Sequence, residues 1–292
     1  MSILKEYKSS LKSFDVEEII DLIIFRPLSF LLVKIIYSTN ITPNQISIVS
    51  MFFGLLAGIS IGFGKYEFIL AGAVLIFLSN LLDCADGQLA RLKRNGTKTG
   101  RIIDGFIDYV TGLSAFLGLG FAVSYITGDY VYGWIIAFVG GFSRVLQNMF
   151  FDYYRNLYLK YVYNKGSDIN LEIVEFTEEK ERLEKAKGNL LEKFLVNIYL
   201  KYCSLQKNTT MHVHMSISPD IYKAKNKLLL RLWSWIGSTT HLSLLIIFLF
   251  INKPEYYLIL TIILGNFVFL ILLIIQKRIT KKLMSKEYNF AN

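Results

Sequence analysis

Residues 82–108 read LDCADGQLARLKRNGTKTGRIIDGFID, and their spacing decides how the chain is organised. Asp83, Asp86, Gly87, Ala90 and Arg91 recur at intervals that put them on one face of a helix. Gly100, Asp104 and Asp108 are each four apart and form a stripe on a second helix. The turn between them, KRNGTKTG, is short, so the two helices are antiparallel neighbours and four carboxylates converge at one end. Both helices run on into apolar sequence. A carboxylate in hydrocarbon costs about 3 kcal/mol or more, so such residues face a polar cavity and carry function.

The rest of the chain has the profile of a membrane protein. Of 292 residues, 53% are hydrophobic and 19% charged, and the mean hydropathy is +0.42. Six stretches, at about 45–64, 68–89, 102–125, 131–151, 228–250 and 256–275, are long and apolar enough to span a bilayer. Before them, residues 16–39 are interrupted by Arg26, Pro27 and Lys34, which predicts an interfacial helix breaking at Arg26-Pro27. The expected fold is therefore an all-α integral membrane protein of six transmembrane helices with an N-terminal interfacial helix, forming a single membrane domain over 1–292. The polar N-terminus predicts no cleaved signal peptide.

Lys and Arg cluster in alternate loops: the N-terminal part, the turn 91–101, the segment 155–231 and the tail from Lys277. The intervening loops contribute only Lys65 and Lys253. This bias predicts that both termini and the aspartate-bearing turn face the cytoplasm. It also accounts for the net charge of +9 without nucleic acid as a partner. The insert at about 152–227 is predicted to be cytoplasmic and helical. Within it, Leu183, Ala186, Leu190, Phe194, Ile198 and Tyr202 follow a helical period, with Glu178/Arg182 and Glu181/Lys185 as i,i+4 pairs. Whether this amphipathic helix lies on the membrane, covers the active site or pairs with a second copy in a homodimer is left open by the sequence; the expectation is a solvated helix packed on the bundle. Cys84 and Cys203 form no disulfide framework, and Cys84 reads as packing.

Four converging carboxylates raise one another's pKa until some protonate, unless cations neutralise them. An oxygen-rich site without a His or thiolate pattern suits Mg²⁺ or Mn²⁺. Gly87, Ala90 and Gly100 lack bulk where the helices close, which permits either tight helix contact or a flat ligand. Arg91 and the basic turn supply positive charge of the kind a diphosphate requires.

The pattern D-x-x-D-G-x-x-A-R-(x8)-G-x-x-x-D-x-x-x-D, matched at Asp83, Asp86, Gly87, Ala90, Arg91, Gly100, Asp104 and Asp108, resembles the signature of the CDP-alcohol phosphotransferase family. ITPNQIS (41–47) is similar to the segment preceding the first span in that family. The resemblance does not cover the insert. It implies that an acceptor hydroxyl attacks the β-phosphate of a CDP-linked alcohol, with CDP-diacylglycerol the expected donor, and that CMP is released in phospholipid biosynthesis. Asp83, Asp86, Asp104 and Asp108 would hold one or two divalent ions, Gly87, Ala90 and Arg91 would line the CDP site, and Asp108 would be the base or a further metal ligand. A soluble CDP-alcohol donor, with a diradylglycerol or inositol phosphate acceptor, is the alternative within the family. A cation-coupled transporter is the alternative from another class; it would carry midplane sites in two related halves, and no internal repeat is visible.

Arg144 falls within the fourth span, in GGFSRVLQ. It either grips an anionic acceptor, like an arginine on this span in phosphate-accepting relatives, or forms an internal ion pair with a motif aspartate. His241, amid Ser238, Thr239 and Thr240, either lines an acceptor pocket or bonds between helices. His212 and His214 have ligand-like spacing but no acidic or thiolate cluster nearby in sequence, which predicts a surface location.

Overall fold

Thr42 and Gln45 start the first long helix by bonding reciprocally: the Thr42 side chain accepts from the Gln45 N–H at 3.3 Å, and the Gln45 side chain accepts from the Thr42 N–H at 2.9 Å. Pro43 fills the first turn, where no backbone donor is needed. The computed structural model describes residues 3–94, 98–164, 169–185, 190–209 and 217–290. In chain order the helices are α1 (Ile3–Ser10), α2 (Arg26–Ile36), α3 (Pro43–Gly62), α4 (Tyr66–Lys93), α5 (Lys98–Thr127), α6 (Tyr130–Tyr163), α7 (Ile169–Lys185), α8 (Leu190–Thr209), α9 (Pro219–Trp233), α10 (Ser238–Phe250), α11 (Pro254–Leu260) and α12 (Asn266–Phe290). No strand occurs among the described residues. Six stretches, Pro43–Gly62, Tyr66–Lys93, Ile103–Thr127, Tyr130–Tyr163, Pro219–Phe250 and Pro254–Leu283, are long and apolar enough to cross a membrane. Phe52, Leu56 and Ile59 of α3 are each more than half exposed, an apolar stripe suited to lipid. The chain is an all-α integral membrane protein, as expected.

Two expectations about helix continuity are corrected. The helix does not break at Arg26-Pro27: a π turn over Asp21–Phe25 leads directly into α2, with Pro27 in its first turn. The wider turn absorbs the register change that a proline imposes. Conversely, the fifth span is not continuous. A 3₁₀ turn at Ser234–Ile236 and Gly237 separate α9 from α10. The buried carboxylate of Glu18 caps the start of α10, accepting from the Thr239 N–H at 3.1 Å and the Thr240 N–H at 3.2 Å. A Cβ on Gly237 would lie 2.5 Å from Glu18 Oε2.

The chain divides into two compact units. The first comprises Met1–Leu146 and Gly237–Asn266. Its apolar core joins Ala57 and Ile61 of α3, Ile69 and Ala73 of α4, Leu119 of α5 and Leu245 of α10. Between α3 and α4, Ser50 Oγ donates to the Ser79 carbonyl and Ser79 Oγ to the Ser50 carbonyl, both at 2.8 Å. Helices α3 and α5 cross at backbone contact. A Cβ on Gly58 would lie 2.2 Å from the Ser114 carbonyl oxygen, and one on Gly118 would lie 2.2 Å from that of Gly58.

The second unit comprises Gln147–Ile236 and Phe267–Asn292 and has an aromatic interior, with Tyr154 and Phe269 against the ring of Trp233. Asn226 accepts from Gln276 Nε2 at 2.9 Å. The single amphipathic helix expected in the insert is instead two helices, α7 and α8, joined through the ring pair Phe176–Tyr199 and a hydrogen bond from the Tyr199 hydroxyl to Glu172 at 3.2 Å. The buried side of α8 carries Val196 and Cys203, whereas Phe194 is exposed, so the face is rotated from the one predicted. Burial beside Glu172 pushes the Cys203 thiol up to about 11, so it is protonated at neutral pH. The ion pairs also differ from those expected: Arg182 meets Glu179 and Lys180 meets Glu184.

Candidate active site

Helices α4 and α5 bring three of the four motif carboxylates together. One oxygen from each of Asp83, Asp86 and Asp104 lies within 4.8 Å of the others. Oxygens that share a small divalent ion at 2.0–2.1 Å sit about 3–4 Å apart, so a small side-chain rotation closes the set on one ion. The donors are all hard oxygens, as Mg²⁺ and Mn²⁺ prefer. Asp108, one turn along α5, is exposed and outside this triad, yet its charge bears on Asp83 and Asp86.

Asp86 is buried and its carboxylate is oriented from α3: Ser47 Oγ donates to Oδ2 at 2.5 Å. The resemblance covered ITPNQIS but gave Ser47 no role; a serine one turn into a capped helix was the signal available. On the same face as the acids, Arg91 folds back over Gly87, where an added Cβ would lie 3.4 Å from both terminal guanidinium nitrogens. Arg91 Nε donates to the carbonyl of Ser10. Its Nη2 is buried without a hydrogen-bond partner, a donor whose bonding capacity an anionic oxygen would satisfy. Ala90 is partly buried on this face, and Gly100 lies in the first turn of α5, outside the residues whose surroundings are described.

The opposite face of α4 rests on the N-terminal segment. Arg26 Nη1 donates to the Cys84 carbonyl at 3.5 Å, Gln88 Nε2 donates to the Arg26 carbonyl at 3.1 Å, and Ser29 Oγ donates to Gln88 Oε1 at 2.9 Å. The buried Arg26 cation is matched by Glu17 at 2.9 Å and Asp21 at 3.8 Å. Cys84 is buried, with Sγ 3.8 Å from Asp21 Oδ1, so it packs as expected and faces away from the acids. Burial pushes the Glu17 carboxyl up, but Arg26 and the Lys12 N–H outweigh it and hold the group below its ordinary 4.5. Its contribution to stability is complete above that value and is lost as pH falls through the depressed one. In thermal melts, the advantage of the wild type over Glu17→Gln should therefore be full at neutral pH and shrink as pH falls below 4.5; an advantage unchanged by acid would contradict the pairing.

Arg144 does not pair with a motif aspartate among the described residues, which removes one of its two readings. Its guanidinium carbon lies 5.6 Å from the Phe116 ring centroid, and Nε is buried without a hydrogen bond. Its charge reaches His241, which is buried edge-on against Tyr257 with ring centroids 6.2 Å apart. His212 and His214 lie outside the described residues.

Fold and site together define an all-α membrane protein with an acidic, oxygen-donor cluster shared by two neighbouring spans. Residues 40–158 match the sequence model of the CDP-alcohol phosphatidyltransferase family. It is similar to a phosphatidylinositol phosphate synthase from Corynebacterium glutamicum, with 33% identity over 89 residues that cover 30% of this chain and 38% of that protein. It is also similar to an archaetidylinositol phosphate synthase from Pyrococcus horikoshii, with 37% identity over 91 residues, 30% of this chain and 44% of that protein. The matches thus span less than half the length of either relative.

Proposed function

We propose that this chain is a membrane-embedded transferase that moves a substituted phosphate from a CDP-alcohol, CDP-diacylglycerol by preference, to an acceptor hydroxyl in phospholipid biosynthesis. The observation that carries this reading is the convergence of Asp83, Asp86 and Asp104 beside a buried arginine whose Nη2 lacks a partner. Asp83, Asp86 and Asp104, with Asp108 at the edge, would hold Mg²⁺ or Mn²⁺. A bound divalent ion supplies charge neutralisation for a transferring phosphoryl group and its leaving group.

The chain's own residues would do the rest. Arg91 binds the diphosphate through its buried Nη2, and Gly87 and Ala90 leave that side of α4 open to the nucleotide. Gly100, at the start of α5, would be a further substrate-binding position. The acceptor oxygen attacks the β-phosphorus, the bond from that phosphorus to the bridging oxygen breaks, and CMP departs with the bridging oxygen. Asp108, exposed and next to the triad, takes the hydroxyl proton, a contribution of about 10²–10⁴ in rate. Arg144 grips an acceptor phosphate. The two similar proteins are named as synthases of inositol phosphate lipids, which supports a phosphorylated polyol acceptor. The loop charges favour a site facing the cytoplasm.

The test is CMP release by purified protein in lipid with Mg²⁺ or Mn²⁺, across a panel of CDP-alcohols with phosphorylated and unphosphorylated polyols. Release that requires CDP-diacylglycerol and a polyol phosphate is expected. Release from no donor in the panel would overturn the reading.

A further inference from the structure

The last carbonyls of an α-helix have no donor within the helix and must find one elsewhere. At the end of α1, Ser10 Oγ donates to the Tyr7 carbonyl at 2.7 Å and the Leu11 N–H to that of Lys8 at 3.4 Å. The carbonyl of Ser10 itself is met from α4, by Arg91 Nε. A cation at the carbonyl end of a helix also suits the helix dipole. Ser10 is fully buried at this junction. The chain just beyond it is tied down as well: the Lys12 N–H donates to Glu17 Oε1 at 3.0 Å, and Glu17 pairs with Arg26 at 2.9 Å. The Ser10 carbonyl is therefore presented to Arg91 from a fixed backbone.

That bond sets where the rest of the guanidinium points. The group is planar, so anchoring Nε leaves the two terminal nitrogens a restricted set of directions. Both lie over Gly87, 3.4 Å from where a Cβ would stand, on the helix face that carries Asp83. Among the described residues, no ion pair joins Arg91 to Asp83, Asp86 or Asp104, and Nη2 is buried with no hydrogen-bond partner. A cation beside three carboxylates is thus bonded to a neutral carbonyl instead, which keeps a buried donor available to an anionic oxygen.

We infer that Ser10 is a positioning residue: its main-chain carbonyl aims the Arg91 guanidinium at the diphosphate of the CDP-alcohol, so that the segment before α2 supports the donor site. This rests on the reading given under Proposed function. It goes beyond that reading by giving a role to a residue outside the motif and outside residues 40–158.

The experiment is equilibrium binding of CDP with Mn²⁺ to the full chain in detergent, comparing the wild type, Ser10→Val, Arg91→Lys and the double variant. Valine at this buried position adds bulk and loses the bond to the Tyr7 carbonyl, which shifts the end of α1 and the Ser10 carbonyl with it. Ser10→Val is expected to weaken CDP by about tenfold, with the binding of Mn²⁺ alone unchanged. Once Arg91 is lysine it should cause no further loss, because a residue acting through another is coupled to it. Unchanged CDP affinity in Ser10→Val, a matching loss of Mn²⁺ affinity, or an equal CDP loss in the lysine background would overturn the inference and leave the proposed reaction standing. If Ser10→Val does not fold, amide hydrogen exchange in the wild type decides: adding CDP to the Mn²⁺-loaded protein should slow residues 3–10 and leave α7 unchanged. Equal slowing in both, or no slowing of residues 3–10, would overturn the inference. A wild type that binds no CDP would sink both.

Discussion

Asp104→Asn should lower CMP release by about 10³-fold while leaving the protein folded. Asparagine keeps the volume of the side chain and removes one anionic oxygen donor from a set of three that lie within 4.8 Å. Asp83 and Asp86 sit on the same helix, so Asp104 is the member of the triad that recruits α5. Without it, only Asp83 and Asp86 of the triad remain, with Asp108 at the edge, and the ion loses its close anionic donor from α5. Mn²⁺ binding should therefore weaken in parallel with turnover, and a thermal melt should show no loss of stability, since one of several crowded negative charges has been removed. Full activity in this variant would rule out the metal assignment.

The second large effect is on the frame that carries the triad. Gly58→Val should lower the melting temperature sharply in detergent, at a cost of about 1–3 kcal/mol or more, because even a Cβ at this position meets the Ser114 carbonyl at 2.2 Å. Backbone cannot rotate away as a side chain can, so α3 and α5 must part. Turnover should fall with stability, since α5 carries Asp104 and α3 carries the serine that orients Asp86. Gly105→Ala provides the contrast. A Cβ there meets nothing within 4 Å, and a helical alanine gains about 0.5–1 kcal/mol over glycine, so the melt should hold or rise. Equal melts for the two variants would show that the crossing has slack.

What could be read from the residues in advance, and what could not, follows the range of each interaction. The acids of α4 and α5 share faces because of helical period alone, and their convergence needed only a short turn. The six apolar runs announced themselves by length. The break between α9 and α10 depends on Glu18, more than 200 positions away, and no local signal around Gly237 names such a partner. Arg26-Pro27 looked like an interruption because the π turn that accommodates it has no composition of its own. In the insert, the apolar period was real but the registering face was chosen by the pairing of α7 with α8, through Phe176 and Tyr199. Ser47 was legible as a residue type; what it meets depends on tertiary contacts.

The clamp between Glu18 and the first turn of α10 has a consequence for biogenesis. It joins residues 221 positions apart, so the carboxylate emerges from the ribosome long before its amide partners exist. At synthesis rates of about 5–20 residues per second, that interval is on the order of 10–40 s. During it, the four spans α3 to α6 are threaded into the bilayer while Glu18 has no amide partner, and only then can its carboxylate tie the segment before α2 to the first turn of α10.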